Sequence, residues 1–131
     1  MNKTLIHPKG HPPSRGAYSP GIRIELGSAT LLLVTGQLAL DENNAVVAPG
    51  DAAAQTEAVF ARIGAILEAA GMGFADVVKV DTFLTNMADF PAFSAIRNRH
   101  FAGTRPVSTL LEVKGLAQPG LCVEVEVTAV R

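Results

Sequence analysis

The 131-residue sequence is poor in aromatic side chains and has no excess of either charge. It contains no tryptophan and one tyrosine, its formal net charge is −1, and its lysines and arginines are scattered along the chain. Proteins that bind nucleic acid usually present a clustered basic surface and aromatic platforms on which bases stack. The composition therefore argues against a nucleic-acid partner.

Cysteine and long apolar runs are also scarce. Cys122 is the only cysteine, so no disulfide can form within the chain, and a lone thiol is typical of a reducing compartment. No apolar run approaches the roughly 20 residues that cross a bilayer, and the N-terminal residues lack the apolar core of a signal peptide. We predict a cytoplasmic protein with no membrane partner.

Apolar residues make up 48% of the chain, enough to form the core of one domain over residues 1–131. Prolines make residues 7–21 an irregular arm. Period-2 patterns predict strands at 22–26, 30–35, 76–84, 107–113 and 121–130, and period-3.6 patterns predict helices that begin after Asp51 and Asp89. The order β-β-α-β-α-β-β predicts an α+β two-layer sandwich, with a mixed sheet and two helices on one face.

The last predicted strand separates apolar from polar side chains. The face that should meet the core carries Val123, Val125, Val127 and Ala129, while the opposite face carries Cys122, Glu124, Glu126 and Thr128. Glu124 is either a general acid or base in a polar cleft, or an ordinary solvated carboxylate. A face of such mixed character also predicts a cyclic oligomer with clefts between its subunits.

Other chemically capable residues have alternative interpretations. Tyr18 lies in the arm as a surface residue, a packing residue or a pocket wall, and Gly36 indicates a bulge or the close approach of a ligand. Cys122 is a nucleophile or, more often for a lone cysteine, inert packing. The histidines show no metal-ligand spacing, so no metal site is predicted.

Several short motifs, in this order and spacing, resemble the RidA family of enamine/imine deaminases, also called L-PSP endoribonucleases. The motifs are GAYSPG at 16–21, VTGQL at 34–38, EAAG at 68–71, DVVKV at 76–80, LTNMADF at 84–90, RP at 105–106, LEV at 111–113 and VEVEVTAV at 123–130. The resemblance implies a chorismate-mutase-like fold and a homotrimer that binds a small molecule in each intersubunit cleft. It also implies cofactor-free hydrolysis of an imine, with Glu124 orienting water and with Tyr18 and Gly36 lining the cleft.

One position departs from the family pattern. Where the family carries a substrate-binding arginine, this chain has Ser108, which we expect to contact the substrate together with Leu110. Arg105 lies three residues earlier, so in a regular strand it would face the opposite side. A serine replaces a bidentate contact of about 1.5–3 kcal/mol with one neutral donor.

We therefore expect an enamine/imine hydrolase of altered substrate range. Either its substrate lacks the carboxylate, or another group anchors it. The alternative is a non-catalytic trimer that binds or protects a small molecule. A ribonuclease fits the near-neutral charge least well.

Overall fold

The computed structural model describes residues 2–131. Within them the chain forms six strands and two α-helices, with short 3₁₀ turns at Phe74–Asp76 and Met87–Asp89. The strands are β1 (Asn2–Ile6), β2 (Gly21–Leu26), β3 (Ala29–Leu38), β4 (Val77–Leu84), β5 (Val107–Glu112) and β6 (Val123–Val130). The helices are α1 (Ala52–Ala69) and α2 (Phe90–Phe101).

All six strands belong to one mixed sheet in the order β1-β2-β3-β6-β4-β5. The β4–β5 pair is parallel and joined through α2, while every other pair is antiparallel. This confirms the α+β fold class. The predicted element order was wrong in one respect, because it omitted β1, which pairs with β2. Four of the five β1 residues are exposed, so this edge strand has no apolar alternation to reveal it.

The core lies between the helices and one face of the sheet. Along β6, Val123, Val125, Val127 and Ala129 are buried, as their alternation predicted. They pack with apolar residues of α1 such as Val59, Phe60, Ile63, Ile66 and Leu67. The opposite face of the sheet is not covered by any helix, and we call it the open face.

The two helix starts differ from each other. Asp51 accepts a hydrogen bond from the backbone N–H of Ala54 (3.0 Å), which confirms it as the N-cap of α1. Asp89, expected to cap α2, makes no such bond. Instead Asn86 accepts from the N–H of Ala88 and caps the 3₁₀ turn that leads into α2.

Strand β4 contains an irregularity that its sequence did not show. Val78 was expected to share a face with Val80, but the register against β6 shifts between Val77 and Lys79. As a result Val77 and Val80 are buried, whereas Val78 is 44% exposed. A bulge of this kind inserts one residue and breaks the period-2 pattern.

Gln55 fixes the entrance to β6. Its amide nitrogen donates to the carbonyl oxygens of Ala48 (3.1 Å) and Gly120 (2.8 Å), and its oxygen accepts from the N–H of Cys122 (2.7 Å). The side chain is fully buried, so these three bonds satisfy groups that water cannot reach.

None of the helices in residues 2–131 is long and apolar enough to cross a membrane.

Candidate functional site

Glu124 lies on the open face against the backbone of β3. The β3–β6 register shifts between Val34 and Gln37, and this bulge brings Gly36 next to the Glu124 side chain. A β-carbon at Gly36 would overlap the Oε1 of Glu124. Only glycine leaves room for the carboxyl group in this position, which explains why the strand carries a glycine there.

The surroundings of Glu124 favour its protonated form. Burial raises the pKa of Glu124 above its ordinary value, and the nearby carboxylate of Glu126 raises it further. Asp81 pairs with Glu126 across the sheet, and its own charge is matched by Lys79 at 3.2 Å. A half-buried carboxyl whose pKa is raised in this way is a candidate general acid or base.

Tyr18 lies beside this region, in the arm between β1 and β2. The tyrosine is 56% exposed and borders a cavity of about 640 Å³ over the open face, together with Leu5 and Leu33. It also lines a smaller polar pocket of about 110 Å³ that contains Gly36. The chain therefore brings three of the predicted site residues, Tyr18, Gly36 and Glu124, to one region of the sheet.

A cluster around Arg62 holds the arm in place, and no sequence signal indicated it. The Arg62 guanidinium donates to the Leu40 carbonyl (2.7 Å), the Gln37 side-chain oxygen (3.2 Å) and the Nε2 of His11 (2.9 Å). Because Nε2 accepts, the other ring nitrogen of His11 can donate to the Pro12 carbonyl (3.0 Å). Burial lowers the pKa of Arg62 from its ordinary value. The three partners are 22 to 51 residues away from Arg62, so local patterning could not reveal the contact.

Ser108 and Leu110 do not join Glu124 within a single chain. They pair with Val80 and Thr82 of β4, whose side chains are buried toward the helices. Since paired residues project to the same side, Ser108 and Leu110 face the helix layer. Ser108 lines a groove of about 530 Å³ between α2 and β5.

The expected direction of Arg105 was wrong. Strand β5 begins at Val107, and Arg105 precedes it in a left-handed conformation with φ of 52°. The strand rule that placed Arg105 opposite Ser108 does not apply to this turn. Arg105 and Ser108 line the same groove.

The remaining candidates are structural. Cys122 precedes β6 and is buried, so it does not share the open face as expected, and burial raises the pKa of its thiol. Such a thiol is a poor nucleophile at neutral pH. His100 stacks on Phe60 with ring centroids 4.8 Å apart, so it packs against an aromatic side chain of α1. Residues 2–131 contain no cluster of three acidic, histidine or cysteine side chains that could hold a metal.

The raised pKa of Glu124 predicts a pH-dependent effect on stability. The folded chain binds the Glu124 proton more tightly than the unfolded chain does. Ionisation of Glu124 therefore destabilises the fold at pH values above its raised pKa. Below the pKa of an ordinary glutamate, about 4.3, the group is protonated in both states and the destabilisation is absent. Glu124→Gln should therefore raise the melting temperature at about pH 8 and leave it unchanged at about pH 3.5. Because solvent screens a half-buried charge, we expect the free energy of unfolding at about pH 8 to increase by up to about 1 kcal/mol in this variant, measured by thermal denaturation. Glu68→Gln, at an exposed helix position, is the control. A lower melting temperature for Glu124→Gln at pH 8 would contradict this assignment.

Comparison with known proteins identifies the family. A family model described as endoribonuclease L-PSP matches residues 9–131. The 3-aminoacrylate deaminase RutC of Acinetobacter baylyi is 38% identical over 125 residues, which is 95% of each chain. Protein DfrA of Myxococcus xanthus is 33% identical, over 99% of this chain and 97% of its own.

Solved structures that resemble this chain support the same family. YyfA of Yersinia pestis, described as a Rid-family protein, has a TM-score of 0.86 and 31% identity, over 98% of both chains. RidA from an Antarctic Psychrobacter has a TM-score of 0.82 and 31% identity, over 96% of this chain and 98% of its own. The chain therefore belongs to the endoribonuclease L-PSP family, the RidA group that its sequence motifs indicated.

Proposed function

We propose that the protein is a hydrolase that converts a reactive enamine or imine to a carbonyl compound and ammonia. The observation that carries this proposal is Glu124, a half-buried carboxyl of raised pKa held against Gly36. The 38% identity to a protein named as a 3-aminoacrylate deaminase supports the choice of reaction. The reaction needs no cofactor, because water is the only co-reactant.

Glu124 can serve each proton transfer of this hydrolysis. An enamine first takes a proton at carbon and becomes the iminium ion. As carboxylate, Glu124 accepts a proton from the water whose oxygen forms the new bond to the carbon of the C=N group. The resulting carbinolamine takes this proton on nitrogen and its C–N bond breaks. Ammonia leaves as the C=O bond forms, and the hydroxyl proton passes to Glu124. A pKa closer to neutral lets one carboxyl both accept and return the proton.

A complete site in this proposal requires a second subunit. Glu124, Gly36 and Tyr18 lie near the open face, whereas Ser108 and Leu110 face the helix layer, so one chain does not surround a ligand with all five. We propose that a homotrimer places these two parts in one intersubunit cleft, where a small molecule binds. The same chain would supply one part to each of two neighbouring clefts.

The open face has the character of an interface. One row across the whole sheet consists of Leu5, Ile22, Leu33, Thr128, Lys79 and Val107. Of these, Leu5 is 68%, Leu33 44% and Val107 67% exposed in the single chain. Three exposed apolar side chains in a row that is interrupted only by Thr128 and Lys79 support a surface that another protein chain covers.

An assay of imine decay tests the activity. An amino-acid oxidase generates imines from a panel of amino acids, and their decay is followed with wild-type protein and with Glu124→Ala. We expect faster decay with wild type and a loss of about 100-fold or more in the variant, because the water would lose its base. If the protein accelerates the decay of no imine, the result favours the alternative, a trimer that binds or protects a small molecule without catalysis. The serine at position 108 is the observation that supports this alternative.

Gly36→Ala tests the placement of the Glu124 carboxyl. The new β-carbon overlaps only the flexible end of Glu124, so the fold should survive while the carboxyl group is displaced. We expect kcat/KM to fall about ten- to hundred-fold. Gly115→Ala is the matched control, since its β-carbon would meet nothing within 4 Å. Full activity in a folded Gly36→Ala variant would show that the position of the carboxyl observed here is not the reactive one.

Leu33→Glu tests the assembly. Three copies of a new carboxylate on the covered face should dissociate the trimer, because an unpaired charge is costly to bury. Sedimentation equilibrium should give three times the chain mass for wild type and one chain mass for the variant. Ala65→Glu, on the exposed surface of α1, should remain trimeric. A wild-type monomer at assay concentration would refute the intersubunit cleft.

A further inference from the structure

Arg62 of α1 is a half-buried cation without an acidic partner in residues 2–131. The ion pairs of these residues use other arginines and one lysine. The Arg62 guanidinium instead donates to three uncharged acceptors, on His11, Gln37 and Leu40. Withdrawing a cation from water without a counterion costs folding free energy, and such groups occur more often at functional sites than in stabilising contacts.

The Gln37 side chain connects Arg62 to the bulge that receives Glu124. Gln37 is 3% exposed, its oxygen accepts from the Nε of Arg62 (3.2 Å), and its amide nitrogen donates to the Thr35 carbonyl (2.7 Å). The second bond spans Gly36, the residue that lies against the Glu124 carboxyl. Because Gln37 is buried, the loss of either bond would leave a polar group without a partner. Arg62 therefore acts on the conformation of the bulge.

Thr35 connects the same bulge to the arm. Its backbone N–H donates to the Pro20 carbonyl (2.9 Å), and its hydroxyl donates to the Ser19 carbonyl (2.6 Å). Both acceptors follow directly after Tyr18 in the chain. The conformation of the bulge and the position of Tyr18 are therefore joined through one residue.

Arg62 also holds the arm on the N-terminal side of Tyr18. The Nε2 of His11 accepts from the guanidinium at 2.9 Å. The charge of an ionised Tyr18 hydroxyl would reach Arg62 and raise its pKa, so the two side chains are neighbours. Both line the polar pocket of about 110 Å³ that contains Gly36. The guanidinium thus lies between the arm and the bulge.

We propose that Arg62 is a positioning residue of the candidate site, which fixes Glu124 and Tyr18 relative to each other through Gln37 and Thr35. The assignment rests on the proposed function and adds a residue to it that touches neither substrate nor water. Arg62 makes no hydrogen bond to Glu124 and acts through the backbone on both sides of Gly36. A planar guanidinium suits this role, because its donors diverge toward several acceptors at once.

The titration of Glu124 tests the inference without requiring turnover. Carbon-13 NMR of the side-chain carboxyl follows Glu124 in wild type, Arg62→Met and Arg62→Lys. Removal of a nearby cation would by itself raise the pKa of a carboxyl. A loosened bulge admits water and reduces the burial that raises the pKa of Glu124, so we expect this pKa to fall in both variants. Arg62→Lys keeps the charge and loses the planar fork, and it separates geometry from charge.

Ile63→Val is the matched control. Ile63 is adjacent to Arg62 in α1 and fully buried in the core, so the variant loses packing without removing an Arg62 contact. It should lower the melting temperature and leave the pKa of Glu124 unchanged. Every variant retains the charged groups on the strands around Glu124, which are Glu126, Asp81 and Lys79. An unchanged or raised pKa of Glu124 in folded Arg62→Lys would overturn the proposal, also where Arg62→Met does not fold.

The pH dependence of imine hydrolysis provides a second measurement. Arg62→Met should lower kcat/KM about ten-fold, because the reacting groups lose their alignment. Its activity should also begin to rise at a lower pH than in wild type, since the base ionises at a lower pH. Ile63→Val should keep the wild-type profile. A wild-type profile and rate in folded Arg62→Met would refute the positioning role. If wild type hydrolyses no imine and the pKa of Glu124 still falls in the variants, the proposed reaction fails and the positioning of Glu124 by Arg62 stands.

Discussion

The pairing of β6 with both β3 and β4 is the constraint on which the rest of the structure depends. This strand lies inside the sheet, so its backbone is satisfied on both edges, and its side chains divide strictly between two environments. The valines hold the helices to the sheet, and the same alternation places Glu124 and Glu126 on the open face. A register slip of one residue would bury both carboxylates and expose the core. Core packing therefore fixes the position of the Glu124 carboxyl.

The candidate site lowers the stability of the sheet around Glu124, and contacts in the surrounding structure hold its residues in place. Glu124 is half-buried beside another carboxylate, and β3 must bulge and carry a glycine to admit it. Each of these features costs stability in an isolated sheet, yet together they give a carboxyl whose pKa is raised above its ordinary value. The buried hydrogen bonds of Gln55, at one end of β6, and of Arg62, beneath the arm, hold the neighbouring backbone in place.

The sequence predicted features that depend on regular periodicity and missed those that depend on exceptions to it. The β6 alternation, both helices and the Asp51 cap follow from spacing alone. The bulge at Val78 and the left-handed turn at Arg105 interrupt the period, so these two side chains face differently from the expectation. Strand β1 is exposed and carries no pattern. The Arg62 cluster joins segments that are far apart in the chain, and local patterning does not encode such contacts.

The central position of β6 has a consequence for biosynthesis. Strands β1, β2 and β3 are neighbours in sequence and can pair as soon as they leave the ribosome, and β4 and β5 can pair once α2 has formed between them. Within the sheet of residues 2–131 the two halves meet only through β6, which follows the other five strands in the chain. Until then β3 and β4 each present an unpaired, apolar edge, the kind of surface on which nascent chains associate with one another. Any delay in the pairing of β6 would hold both edges open, so the rate of this one step governs how long the chain is exposed to association.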